Sequence, residues 1–151
     1  MAIYQAAYSI AGVNAVNQVL FNLKTVASDR AWIREVGMFI EVAPTTAPQF
    51  ALMRMSAVGT GAITTATAGL SDPADGAAAT LLETAWATTR PTVTGGAFRR
   101  TLVPLAVGNG VIWDFTNRPL IVPVSTGLCG VVLNASGATV GTLGGYVVWE
   151  E

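Results

Sequence analysis

The sequence predicts an all-β protein, either a sandwich or a barrel. Three observations support this prediction. Apolar and polar residues alternate with a period of two in many stretches, these stretches are rich in β-branched and aromatic residues, and Gly, Pro or Asn bounds nearly all of them. The short, repeated spacing is typical of sandwiches and barrels. The length of 151 residues corresponds to one domain with a sizeable core.

The first strand candidates are "AIYQAAYSI" and "NQVLFNLKTV". In "RAWIREVGMFIEV" the alternation predicts one face directed towards the core, with Arg34 near its edge. That face consists of Trp32, Arg34, Val36, Met38, Ile40 and Val42. The two prolines of "APTTAP" then predict a turn, and "QFALMRMSAV" resumes the alternation. We therefore expect a hairpin here.

The second half of the chain offers five further candidates. They are "AFRRTLVP", "GVIWDF", "PLIVPV", "GLCGVVLNA" and "ATVGTLGGYVVWEE". One segment, "LSDPADGAAATLLETAW", also fits a helix with a cap at Ser71 or Asp72 and Pro73 in the first turn. The same segment alternates as a strand from Thr80 to Trp86, and Gly76 weakens the helix. We favour a loop or a single helical turn that leads into a strand.

The composition indicates a protein that associates with other chains. Hydrophobic residues make up 52% of the chain and charged residues 11%, against about 25% in an ordinary domain. The apolar runs are too short to span a membrane. The first basic residue is Lys24, so we expect no signal peptide. A net charge of −1 without a basic run argues against nucleic acid. Apolar surface is therefore expected to be covered by copies of the chain or by a partner.

The sequence offers little for catalysis, and we predict no enzyme, no cofactor and no metal. The chain has no histidine, which removes the commonest general base and the His-dependent nucleophiles. The start of a dinucleotide fingerprint at Gly59-Thr60-Gly61 lacks its third glycine, because Thr64 stands there. The Asp72–Asp75 stretch has too few ligands for a calcium loop and fits an Asx-capped turn. We expect the carboxylates to be solvated or paired with arginines.

The single cysteine and the tryptophans are read as packing residues. Cys129 has apolar neighbours in "TGLCGVVLN", which favours a small buried side chain over a reactive thiol. A sugar-binding surface is the alternative role for the four tryptophans, but their strand contexts favour the core or a subunit interface. Arginines that alternate with apolar residues suit pairing across an interface. The candidate interface residues are Arg34, Arg54, Arg99, Arg100, Trp86 and Trp149.

The succession of strands and turns over residues 30–151 resembles a known family. It runs "REVGMFIEVAPTTAPQFALMRMSAVGT", "LSDPADGAAAT", "FRRTLVPLAVGNGVIWDF", "PLIVPVSTGLCGVVLN" and "GGYVVWEE". This pattern resembles the capsid decoration, or cement, proteins of tailed bacteriophages, which have a TNF-like jelly-roll fold. The resemblance implies a single-domain antiparallel β-sandwich of about eight or nine strands.

The resemblance also implies a structural role. A homotrimer would bind the major capsid protein on the outer surface of a phage head and stabilise adjacent capsomers, without contact to DNA or membrane. We expect residues 58–79 to form a long loop laid over a neighbouring subunit or the capsid, and residues 1–29 to combine an arm with the first strands. The main alternative is a jelly-roll module of a head fibre or tail tip that recognises a host glycan. Other self-assembling coat proteins stay open.

Overall fold

A computed structural model describes residues 1–11, 17–133 and 141–151, and in these ranges the chain is all-β. Twelve strands form two antiparallel sheets packed face to face, which confirms the predicted β-sandwich. The strands are β1 (Ile3–Ala11), β2 (Gln18–Lys24), β3 (Ala31–Val42), β4 (Gln49–Ala57), β5 (Ile63–Ala66), β6 (Gly69–Leu70), β7 (Leu81–Trp86), β8 (Thr92–Leu102), β9 (Gly110–Asp114), β10 (Leu120–Val122), β11 (Gly127–Val132) and β12 (Thr142–Glu150).

The chain crosses repeatedly between the two sheets. Sheet A has the order β10-β3-β12-β1-β6, with β9 beside β10 on the same edge of β3. Sheet B has the order β5-β7-β2-β11-β4-β8. Without the inserted strands β5–β7, successive strands alternate between the sheets with two exceptions. Strands β4 and β8 pair with each other in sheet B, and β9 and β10 share one edge of β3 in sheet A. Repeated crossing between two packed antiparallel sheets is typical of a β-sandwich.

The main core lies between the sheets and is dominated by aromatic and aliphatic side chains. Tyr4 of β1 stacks on Trp149 of β12, with ring centroids 5.8 Å apart. Tyr8 of β1 packs against Phe21 of the opposite sheet, at 5.1 Å. A smaller apolar cluster lies on the other face of sheet B, around Val19, Cys129 and Val131. Cys129 is fully buried, as predicted for a small packing residue.

A bulge in β3 changes which residues face the core. Trp149 lies opposite Ile33 and Val148 lies opposite Glu35, so Arg34 is an extra residue in β3. The alternation changes phase at this point. Ile33 is consequently buried and Trp32 is partly exposed, so the prediction that Trp32 faces the core was wrong. Beyond the bulge the predicted core residues Val36, Met38 and Ile40 are buried, whereas Val42 at the strand end is 56% exposed.

Residues 58–79, predicted to form a long loop, contain two short strands. These are β5, which pairs with β7, and β6, which pairs with β1, so the segment forms the edge opposite β8, β9 and β10. Asp72 accepts hydrogen bonds from Ala74 N and Asp75 N, which is the predicted Asx-capped turn. Residues 81–86 form a strand, as predicted.

The N-terminal region supplies strands inside both sheets. β1 lies between β12 and β6, and β2 lies between β7 and β11. Strand β1 pairs with β12 along its length and with β6 only at Tyr4 and Gln5, and β2 pairs with β11 along its length and with β7 only at residues 22–24. Residues 3–11 and 18–24 are thus strands of the sandwich. Within the described residues no helix has the length and apolarity required to cross a membrane.

Candidate functional site

One edge of the sandwich exposes a concentration of apolar side chains. This edge, here called the β8–β10 edge, comprises residues 92–124: strand β8 of sheet B, strands β9 and β10 of sheet A, and their connections. Of the fourteen large apolar side chains exposed in the described residues, seven lie here. They are Phe98, Leu102, Leu105, Val107, Ile112, Ile121 and Val124. Exposed apolar side chains concentrated in this way are a common feature of interaction surfaces.

Strand β8 is an outermost strand with a wide bulge. Leu52 of β4 lies opposite Arg99, but Arg54 lies opposite Thr94, so residues 95–98 leave the regular ladder. Gly95 has a φ of +77°, a conformation that glycine adopts without strain. The sequence "GGAF" thus divides β8 into residues 92–94, where the pairing with β4 shifts register once more, and the regular section 99–102. Outermost strands with bulges pair less readily with arbitrary chains.

Two arginines hold this edge in place through aromatic rings. The Arg54 guanidinium lies 4.9 Å from the centroid of the Phe98 ring, and its Nη2 donates a hydrogen bond to the Ile121 carbonyl over 2.9 Å. Arg54 thereby connects the bulge of β8 to β10 of the other sheet. The Arg99 guanidinium lies 5.3 Å from the centroid of the Phe115 ring and covers this buried aromatic. Both contacts have cation–π geometry.

The β8–β10 edge is basic although the chain as a whole is slightly acidic. Arg99, Arg100 and Arg118 are exposed there, against one acid, Asp114, which gives a net charge of +2. The rest of the chain therefore carries −3, since the total is −1. The edge thus combines apolar area with positive charge, which suits an apolar partner surface that carries acids.

The structure brings three of the six predicted interface residues together: Arg54, Arg99 and Arg100 lie on neighbouring strands β4 and β8. Arg34 is engaged within the chain, because its Nε and Nη2 donate to the Glu150 carboxylate and its Nη1 donates to the Thr116 carbonyl. An arginine bound in this way positions the bulge of β3.

The two tryptophans of the prediction lie elsewhere. Trp149 is fully buried in the core of the single chain, so its side chain is not available to another subunit and its assignment as an interface residue was wrong. Trp86 is half-buried on the outer face of sheet B, where it packs over Gly59. A Cβ at Gly59 would overlap the indole ring.

A buried polar cluster lies beneath Trp86 on the same face. Glu83 is only 2% exposed and accepts hydrogen bonds from Asn22 Nδ2, over 2.8 Å, and from the indole of Trp86, over 3.3 Å. Lys24 Nζ lies 3.4 Å from the other oxygen of Glu83. The thiol of Cys129 points at the Asn22 side-chain oxygen, 3.5 Å away. These contacts tie β7 to β2 and give the carboxylate partners on both oxygens.

The side chains of Cys129 and Tyr146 have strongly raised pKa values. Burial, supported by the charge of Glu83, raises the pKa of the Cys129 thiol to about 12, so this cysteine is protonated at neutral pH. The Tyr146 hydroxyl donates to the Glu35 carboxylate, which raises its pKa to about 12. In the described part of the chain, no three His, Cys, Asp or Glu side chains come close enough to hold a metal ion.

Several residues of the edge escaped the sequence reasoning. Phe98, Leu102 and Ile121 occupy strand-like runs and would be read as core residues from alternation alone. The signal that could have identified them is Gly95-Gly96, which interrupts the run and marks a bulge in an outermost strand.

No protein-family model, curated protein or solved structure matches the chain. The resemblance to decoration proteins therefore stays a prediction, and functional inference rests on the geometry of the sandwich and its edges.

Proposed function

We propose that the chain is a structural protein of a virion, a decoration protein that associates with itself and binds the outer surface of a phage head. The observation that carries this proposal is the β8–β10 edge, where half of the large exposed apolar side chains lie. In a chain with 11% charged residues, such an edge is best accounted for by a partner that covers it.

The rest of the molecule supports a structural role over an enzymatic one. The buried carboxylate Glu83 is engaged by Asn22 and Lys24, and the thiol of Cys129 is buried and protonated. These polar groups stabilise strand pairing and leave no activated nucleophile among them. A rigid sandwich with apolar edges can cross-link neighbouring capsomers by surface contact alone.

The test measures mass and capsid binding together. Light scattering gives the mass of the purified protein, which is then mixed with heads from a phage lacking this gene and pelleted. The proposal expects a stable homo-oligomer, with a trimer as the leading expectation, that co-sediments in a fixed ratio to the capsid subunits. A monomer that stays in the supernatant at all ratios would overturn it.

A glycan-binding module is the second candidate, and one depression favours it. Trp32 is partly exposed and lines a depression of about 460 Å³ together with Asp29 and Arg30. An aromatic face beside charged groups is a common arrangement for binding sugars. A glycan-array signal that is lost on Trp32→Ala, but kept in an exposed control such as Ile112→Ala, would favour this candidate. Decoration activity predicts no response to sugars.

A further inference from the structure

We propose that sheet B continues from one copy of the chain to the next. Residues 99–102 of β8 would pair with β5, Ile63–Ala66, of a second copy. This inference rests on the self-association in the proposed function and adds which two surfaces meet. Both strands are outermost in sheet B, and each is paired on one side only in the described residues.

The strand directions fit such a continuation. Every neighbouring pair in sheet B is antiparallel, and the sheet has six strands. The first and last strands, β5 and β8, therefore run in opposite directions. A second copy placed beside β8 in the same orientation presents its β5 antiparallel to β8. The joined sheets then keep one alternating pattern, and no copy has to be inverted.

The lengths of the two segments also agree. The bulge at residues 95–98 restricts the regular section of β8 to residues 99–102, which pair with Gln49–Leu52. Strand β5 has four residues as well. Each segment thus offers one short row of backbone donors and acceptors, as in recognition by strand addition.

The charges of the two edges are complementary. The edge opposite β8–β10, here called the β5–β6 edge, comprises residues 59–80. Its charged residues are Asp72 and Asp75, with no Lys or Arg, so it carries −2 against +2 on the β8–β10 edge. Contact between unlike edges therefore brings opposite charges together, whereas contact between two like edges brings equal charges together.

The apolar surfaces match in the same sense. Leu102, at the end of β8, is 63% exposed. The β5–β6 edge has a depression of about 260 Å³ lined mostly by small and aliphatic side chains. Among them are Thr65, Ala66, Leu70 and Ala78. Ile63 of β5 is 40% exposed and extends the apolar surface of this edge. In antiparallel pairing of residues 99–102 with residues 63–66, Leu102 lies opposite Ile63, so two exposed aliphatic residues meet at one end of the paired segment.

An interface of two unlike edges is heterologous. Such contacts close into rings, trimers included, when the rotation between copies permits, and otherwise form filaments. Each copy then contributes its β8–β10 edge to one contact and its β5–β6 edge to another. A change that blocks either edge in every copy therefore prevents association.

The test uses two variants of the full chain. The β8-blocked variant carries Arg100→Glu and Leu102→Glu, and the β5-blocked variant carries Ile63→Arg and Asp75→Arg. Each places charge of the wrong sign at an exposed position of one edge. The matched control is Val42→Glu, at a 56% exposed position in β3 of sheet A. Masses are measured by light scattering, and circular dichroism establishes that each variant is folded.

We expect each blocked variant alone to be monomeric at concentrations where the wild type and Val42→Glu are oligomeric. Mixed in equal amounts, the two variants should associate again, because each supplies the edge that the other lacks. If a blocked variant alone keeps the wild-type mass, the edge pairing is wrong while self-association stands. If the wild type itself is monomeric, self-association fails and this inference fails with it.

A measurement on the wild type keeps the inference open to refutation even where a variant misfolds. Hydrogen exchange is followed while the protein concentration is raised through the association range. We expect slower exchange of backbone amides in residues 63–66 and 99–102 together. Slower exchange confined to only one of the two segments, or to neither, would overturn the pairing.

Discussion

The guanidinium of Arg54 on β4 packs over the ring of Phe98 on β8, and Arg54 also reaches across to β10 of the other sheet. The guanidinium lies 4.9 Å from the ring centroid, and the same side chain donates to the Ile121 carbonyl of the other sheet. One residue of β4 therefore fixes the bulge of β8 and the position of β10 together.

This relationship predicts a measurable coupling. Arg54→Met keeps the aliphatic stem but removes the cation and the donor, and we expect a loss of about 1–2 kcal/mol in the free energy of unfolding. Phe98→Leu alone should cost about 0.5–1 kcal/mol. In urea unfolding, a double-mutant cycle should give a coupling of about 0.5–1 kcal/mol. A coupling indistinguishable from zero would mean that the two side chains act independently.

The buried carboxylate of Glu83 predicts a large effect at Asn22. Asn22→Ala removes the amide that donates to Glu83 over 2.8 Å, and it leaves a 2% exposed carboxylate short of a partner. We expect a loss of about 2–4 kcal/mol in urea unfolding. Asn117→Ala, at an exposed position, serves as the control and should change stability by no more than about 0.5 kcal/mol. Equal losses for the two variants would contradict the assignment.

The contact between Gly59 and Trp86 predicts a steric effect. Gly59→Ala places a methyl group where the indole ring lies, so the ring has to move. We expect a loss of about 1–3 kcal/mol and a shift of the tryptophan emission. Gly76→Ala is the matched control, because a Cβ there meets nothing within 4 Å. An unchanged emission spectrum for Gly59→Ala would show that the indole does not rest on this glycine.

The hydrogen bond from Tyr146 to Glu35 predicts a dependence on alkaline pH. The pKa of Tyr146 is raised to about 12 in the folded chain, against an unfolded value of 10.0. The unfolded chain loses this proton first, so the stabilisation is complete below pH 10 and is lost as the pH rises through 12. Burial also raises the pKa values of Tyr4 and Tyr8, so the ionisation of Tyr146 is read from the difference in phenolate absorbance between the wild type and Tyr146→Phe. In a Glu35→Gln background the same difference should appear nearer to pH 10. A Tyr146 that ionises near 10 in the wild type would contradict the hydrogen bond.

The alternation of apolar and polar residues located the strands well, but it did not always predict which residues of a strand face the core. The period of two located β3, yet the extra residue Arg34 exchanged the exposures of Trp32 and Ile33. A bulge depends on the partner strand, here β12, which lies more than a hundred residues away. The residues around Arg34 do not reveal how β12 pairs with them. Alternation therefore predicts which side chains face the core only up to the nearest bulge.

The candidate site was predictable only in part, for a similar reason. The arginines of "RMS" and "FRR" were identified as interface residues because of their residue type, and three of the six candidates lie together. Trp149 was misplaced because an aromatic residue in a strand has the same sequence context in a core and at an interface. What separates them is the sheet order, which places β12 in the middle of sheet A and β8 at the margin of sheet B.

The central position of β12 in sheet A has a consequence for the timing of synthesis. Strands β1 and β3 do not pair with each other; each pairs with β12, which the ribosome makes last among the described strands. About a hundred residues separate the end of β3 from the start of β12, which takes roughly 5–20 s at common elongation rates. During that interval the two early strands expose unpaired backbone. The edges of β1 and β3 that meet β12 therefore stay open to pairing with other chains until the final strand emerges.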